Sequence, residues 1–222
     1  MNNELIVANN PKSGVAEAIK TIRTNLLFSS VDEPVKSILM TSSMSGEGKS
    51  FVSANLAVAF AQTGVKVLIV DCDLRRGRQH KIFNIDNEQG LSNLLLDDVD
   101  KNYKKYIKKT RYENIYVLPM GIVPPNPSEL LASAKNKQLV KLLKQKFDLV
   151  IYDGVPVGGL TDSIIMADLV DKIVIVSAYK ITPVEFLANT NKALEKFKDK
   201  IAGVILNKFP SSKDHYYSKY YN

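Results

Sequence analysis

Short apolar runs rich in β-branched residues recur along the chain, at residues 37–41, 65–70, 115–118, 149–152, 173–176 and 204–206. Each is continuous rather than alternating, the pattern of a strand covered on both faces. Helix-like stretches lie between them, at residues 49–62, 91–96, 128–144, 161–168 and 184–197. Strand–helix alternation implies right-handed crossovers. The predicted fold class is therefore α/β, a doubly wound, mostly parallel sheet with helices on both faces. Ahead of the first strand, residues 15–28 read as a helix with Ala18, Ile22 and Leu26 on one face, suited to pack on the core or on another subunit. Asn126, Pro127, Ser128 and Glu129 read as a helix start, with Asn as cap, Pro in the first turn and Glu129 reaching back. Residues 210–222 are polar and lack an apolar face, so the predicted division is a domain over 1–209 and a flexible tail over 210–222.

Composition narrows the setting. The 222 residues carry 45% hydrophobic and 24% charged side chains, which fits one folded domain rather than a disordered chain. The net charge of +7 points to an anionic partner (a nucleotide, nucleic acid or acidic membrane surface) without choosing among them. A single cysteine, Cys72, excludes an intramolecular disulfide and fits a reducing compartment. No leader-like N-terminus is visible, and no run approaches the ~18 apolar residues of a spanning helix. A cytoplasmic protein is expected, reaching a membrane through a partner or a surface patch.

One segment carries specific chemistry. An apolar run at 38–40 leads into Thr41, Ser42, Ser43, Met44, Ser45, Gly46, Glu47, Gly48, Lys49 and Ser50, and then a helix. Strand, small-residue loop and helix in that order form a phosphate cradle, because loop N–H groups and the helix dipole converge on an anion. Gly46 and Gly48 permit backbone conformations that a side chain would obstruct. Lys49 is placed to reach the β/γ-phosphates and the Ser50 hydroxyl to ligate Mg²⁺. The expected nucleotide-binding stretch is Ser45, Gly46, Glu47, Gly48, Lys49, Ser50 and Phe51, with ATP and Mg²⁺ as cofactors. Ser43 stands where the usual pattern has its first glycine.

Carboxylates end two further apolar runs: Asp71 and Asp73 after 67–70, and Asp153 after 149–152. In an open parallel sheet the carboxyl edge is where ligands bind. Each aspartate alone reads as a turn cap, whereas three beside a phosphate loop read as a cation site. Cys72 lies between two of these acids, whose charge opposes thiolate formation; it reads as a small residue pointing into the sheet.

Together these motifs resemble the bacterial tyrosine autokinases, specifically the cytoplasmic type of capsular polysaccharide synthesis, over essentially the whole chain. Asp71, Asp73 and Arg75 match the family's Asp-x-Asp-x-Arg motif; Asp153 and Pro156 match its Asp-x-x-Pro motif; residues 125–131 look like a family segment. Glu17, Lys20 and Arg23 resemble its Glu-x-x-Arg-x-x-Arg oligomerisation motif, with Lys20 replacing an arginine and losing the bidentate fork. The resemblance implies a fold of P-loop NTPase type, a homo-oligomer (a ring) and a separate transmembrane activator that recruits the chain to the inner face of the membrane. Further partners implied are a phosphotyrosine phosphatase and polysaccharide-synthesis enzymes. Asn207 sits where relatives contact the adenine base, and reads equally as a strand-end turn residue. The alternative is a related ATPase switch of the MinD/ParA type acting on membrane or DNA. Those proteins carry a signature lysine where this chain has Met44.

The tail adds a substrate. Of 10 tyrosines, Tyr216, Tyr217, Tyr220 and Tyr221 fall in the last seven residues without a core-forming period. They read as phosphoacceptors, or otherwise as a sticky or partner-binding terminus; in the family, the C-terminal tyrosine cluster is the autophosphorylation site. The predicted reaction is autophosphorylation of that cluster, with Lys49 and loop amides on the phosphates, Ser50, Asp73 and Asp153 toward the metal, and Asp71 orienting or deprotonating the phenol. Residues 101–111, basic with interleaved aromatics, are read as a solvated helix face, and no nucleic acid is expected.

Overall fold

The computed structural model describes residues 4–29 and 34–210. Seven strands form one sheet: β1 Ser37–Ser42, β2 Val67–Asp71, β3 Lys108–Lys109, β4 Ile115–Leu118, β5 Leu149–Pro156, β6 Lys172–Ala178 and β7 Ile201–Asn207. Their order is β3-β4-β2-β5-β1-β6-β7, parallel except for the short β3 against β4. The continuous apolar runs resolve here into a period of two. Val67 and Ile69 of β2 enter one core while Leu68 and Val70 enter the other; in β5, Leu149 and Ile151 oppose Val150 and Tyr152. Both faces are buried, which is why no alternation shows in the sequence.

The helices are α1 Ile6–Asn9, α2 Gly14–Leu27, α3 Lys49–Ala61, α4 Gln79–Phe83, α5 Leu91–Leu96, α6 Val99–Tyr106, α7 Pro127–Ala132, α8 Ala134–Lys146, α9 Asp162–Leu169 and α10 Val184–Ala193. α3 is buried on nearly every side because it lies between the sheet and an outer layer made by α1 and α2. Its Asn55, a polar residue inside that layer, accepts from the Val7 amide (3.0 Å) and donates to the Glu4 carbonyl (2.8 Å). That pair of bonds ties the N-terminal segment across the back of the phosphate-loop helix.

Several expectations shift. The helix read over 128–144 is two helices, since Ser133 adopts an extended conformation and caps α8 through the Asn136 amide (3.2 Å). The helix read over 184–197 stops at Ala193 and passes into a 3₁₀ turn at Glu195–Lys200. Asn126 precedes α7 with Pro127 in its first turn, but Glu129 takes the Asn126 side-chain amide rather than its backbone. The basic stretch is helical only to Tyr106 and then joins β3; Tyr103 and Tyr106 are buried in the core, so neither ring is free to stack on a base.

Candidate active site

The phosphate loop leaves β1 at Ser42 and enters α3 at Lys49. Gly46 and Gly48 take φ of 84° and 90°, left-handed values that side chains resist. Gly48 is constrained twice, because a Cβ there would stand 2.1 Å from Asn207 Nδ2. The loop is braced from behind. Asn207 Nδ2 donates to the Glu47 carbonyl (2.8 Å) and Lys208 Nζ to the Gly46 carbonyl (2.7 Å). Glu47 is turned inward and buried, its carboxylate accepting from the amides of Met44 (2.7 Å) and Ala178 (3.3 Å) and from the Thr182 hydroxyl. No side chain caps the N-terminus of α3, and the buried Ser43 hydroxyl has no partner. An uncapped helix start leaves its first N–H groups to an anion.

Asp71, the last residue of β2, and Asp153, in the carboxyl-terminal half of β5, are register partners. Lys49 Nζ lies 2.6 Å from Asp153 Oδ1, which also accepts from Ser53 Oγ (3.1 Å), while Gln79 Nε2 donates to Oδ2 (2.8 Å). Asp71 accepts the amides of Gln79 (2.9 Å) and Asp73 (3.3 Å). Complete burial, and then the charge of Asp153, push the Asp71 carboxyl up to about 8. The repulsion expected among these acids is thus relieved by the Lys49 ammonium and by protonation of Asp71. Asp73 stands apart. Its carboxylate accepts the amides of Arg75 (3.2 Å) and Arg76 (2.9 Å), which makes it the cap of the adjoining turn. Cys72 is buried, and burial together with Asp71 and Asp153 pushes its thiol well above the ordinary range, the state of an inert core residue.

Arg75 is committed elsewhere in the fold. Its guanidinium pairs with the buried carboxylate of Asp162 and reaches Ser128 Oγ (3.3 Å), and Ser128 Oγ in turn donates to Asp162 Oδ1 (2.6 Å). The motif arginine therefore fastens the starts of α7 and α9 to the β2 turn. Glu17 and Lys20 pair with each other (2.7 Å), whereas Arg23 turns inward to the Ala59 carbonyl (2.7 Å) at the end of α3. Phe51 and Asn207 line one apolar groove of about 550 Å³ between α2 and β7, with Val15, Ile22 and Phe209. Tyr216, Tyr217, Tyr220 and Tyr221 lie outside the described residues.

Gln79, Ser53, Thr182, Ser128 and Asp162 escaped the sequence reading. Ser128 had a signal in its place in the Pro-Asn-Pro-Ser segment, and Ser53 in lying one turn beyond Lys49 on α3; Gln79, Thr182 and Asp162 reach the site through chain crossings between segments distant in sequence.

Residues 35–206 match the family described as AAA domain. The chain is 40% identical over 217 residues to the CapB protein of Staphylococcus aureus, covering 98% of this chain and 94% of that one. It is 38% identical over 220 residues to tyrosine-protein kinase YwqD of Bacillus subtilis (strain 168), covering 99% and 92%. The chain belongs to the bacterial tyrosine kinase family. Its enzyme class is that of a protein-tyrosine kinase. The crystal structure of the chimerical protein CapA2B2 superposes with a TM-score of 0.89 at 39% identity, over 94% of this chain and 91% of that one. The septum site-determining protein MinD of Pyrococcus horikoshii OT3, complexed with Mg-ADP, shares the P-loop architecture at a TM-score of 0.66 and 27% identity, over 81% and 72%. No helix among the described residues is long and apolar enough to cross a membrane.

Proposed function

We propose that this tyrosine kinase transfers the γ-phosphoryl group of Mg·ATP to its own tyrosines Tyr216, Tyr217, Tyr220 and Tyr221, and thereby regulates capsular or exopolysaccharide synthesis and export. The observation that carries the reading is the uncapped start of α3 facing a buried Lys49–Asp153 pair. Among the described residues no three His, Cys, Asp or Glu side chains could hold a metal unaided. Mg²⁺ keeps several waters and takes one or two protein oxygens plus the substrate phosphates. Ser50 and Asp153 would hold it, with Asp73 at the rim, and when bound it neutralises charge building on the transferred group. Ser45, Gly46, Glu47, Gly48, Lys49, Ser50 and Phe51 would enclose the phosphates, and the Phe51–Asn207 groove would seat the base.

The protein's own part in the proposed reaction is as follows. Lys49 turns from Asp153 Oδ1 to the arriving phosphates, exchanging one anionic partner for another. The tyrosine oxygen attacks the γ-phosphorus, the bond to the β-phosphate oxygen breaks, ADP departs, and Asp71 takes the phenolic proton. Asp71 can do so only as a carboxylate, and the cation brought by the nucleotide favours that form.

The finer assignments rest on the same reading. Residues 1–209 form the catalytic domain and 210–222 the substrate tail. A ring in which Glu17, Lys20 and Arg23 contribute would carry a tail to a neighbouring site. The relative solved as the chimerical protein CapA2B2 supports a second protein as partner; this would be a transmembrane activator that draws the chain to the inner membrane face, and a phosphotyrosine phosphatase and polysaccharide enzymes complete the partners proposed. Met44 replaces the lysine of the MinD-type switch, and its amide is occupied by Glu47. Anti-phosphotyrosine blotting of recombinant protein with and without residues 210–222, beside ATP-dependent liposome and DNA co-sedimentation, tests the choice. A tail-dependent phosphotyrosine signal supports the kinase reading; ATP-dependent sedimentation without such a signal overturns it.

A further inference from the structure

Gln79 opens α4 and belongs to none of the sequence motifs of the site. It is completely buried, and its position is unusual for an amide side chain. Nε2 donates both to Asp153 Oδ2 (2.8 Å) and to the Ser50 carbonyl (3.1 Å), and its own backbone amide donates to Asp71 Oδ2 (2.9 Å). One residue therefore joins the first turn of the phosphate-loop helix to both strand-end carboxylates. The orientation of the amide is settled by these contacts, because both neighbours of Nε2 are acceptors only. Oε1 is left buried with no partner. Buried polar atoms are almost always paired, so an orphaned acceptor inside a ligand site marks a place for an incoming donor.

We propose that Gln79 is a positioning residue for the metal of the bound nucleotide: its Nε2 fixes Ser50 and Asp153 relative to each other, and its Oε1 accepts a hydrogen bond from a metal-bound water. The inference rests on the Mg·ATP reading of this site. The phosphates meet the loop and Lys49, whereas the Gln79 side chain touches only Ser50 and Asp153, the residues assigned to the metal. Its loss should therefore weaken metal-dependent nucleotide binding and spare the metal-independent part.

The test is calorimetric titration of the full chain with ADP, once in excess Mg²⁺ and once in EDTA, with thermal melts in both conditions. Gln79→Met keeps the length and removes every polar atom; Gln79→Asn keeps the amide but shortens its reach, and serves if the methionine variant does not fold. Either variant is expected to bind ADP in EDTA within about twofold of wild type and Mg·ADP at least about tenfold more weakly, a difference of ~1.4 kcal/mol. The melting shift given by Mg·ADP should shrink in parallel. Wild-type affinity for Mg·ADP in the variants, or equal loss in both conditions, overturns the role of Gln79. Absence of Mg·ADP binding by the wild type overturns the nucleotide reading itself.

Discussion

Lys49 Nζ and Asp153 Oδ1 stand 2.6 Å apart in an ion pair whose side chains are 8% and 1% exposed. The lysine assigned to the phosphates is thus held, before any nucleotide arrives, by the carboxylate assigned to the metal. A buried pair of this kind is costly to break from one side, by about 3–5 kcal/mol, because the remaining charge keeps its desolvation without its partner. Lys49→Met should therefore abolish tyrosine phosphorylation and also lower the urea midpoint. Adding Asp153→Asn should restore much of the stability and none of the activity. Equal stability of Lys49→Met and wild type would show that the pair does not form in solution.

Asp71 gives the fold a pH dependence opposite to that of a salt-bridged carboxylate. Its folded value of about 8 lies above the ordinary 3.8, so between those values the native state holds a proton that the unfolded chain has released. Stability contributed by this group is present at low pH and is lost as pH rises toward 8, with a slope up to ~1.4 kcal/mol per pH unit. Urea midpoints of Asp71→Asn should lack that component, most clearly between about pH 5.5 and about pH 7.5. Identical slopes in variant and wild type would remove the buried, protonated Asp71 from the account.

Gly48→Ala meets two obstacles, the left-handed φ and the Asn207 side chain. The conformational part alone is about 1–2 kcal/mol. In an Asn207→Ala background the steric part disappears and the conformational part remains. Stability of the double variant should therefore exceed the sum expected from the single ones, as measured in a double-mutant cycle.

Glu47 shapes the loop with its side chain although the residue's assigned contact with phosphate is through its backbone. Glu47→Ala strands the part-buried amide of Met44, at about 1–3 kcal/mol, whereas the Ala178 amide keeps the Thr182 hydroxyl (2.9 Å) as acceptor. ADP affinity should fall with it, while Glu47→Gln, which keeps an acceptor, should retain more. Calorimetric titration of the two variants checks the order.

Much of the architecture was visible beforehand because its causes are local. β1, β2, β4 and β5 announce themselves as apolar runs, and the loop by strand, glycines, Lys49, Ser50 and helix in sequence. What stayed hidden depends on where the chain returns. Gln79 acquires its partners only because α4 packs against α3 and brings it to Asp153, 74 residues away in number. Arg75 finds Asp162 at a separation of 87. Tyr103 and Tyr106 are core residues at helical spacing, disguised by the lysines between them. Ser133 breaks a helix where its neighbours favour continuation, since its hydroxyl serves as the cap of α8.

The reaction proposed for this site is phosphorylation of the chain's own tail. Intact-mass analysis after incubation with Mg·ATP, with fragmentation to place the groups, addresses it directly. Added phosphoryl groups are expected on Tyr216, Tyr217, Tyr220 or Tyr221 in the wild type and none in Lys49→Met. An unmodified wild-type tail, or the same modification in Lys49→Met, would contradict it.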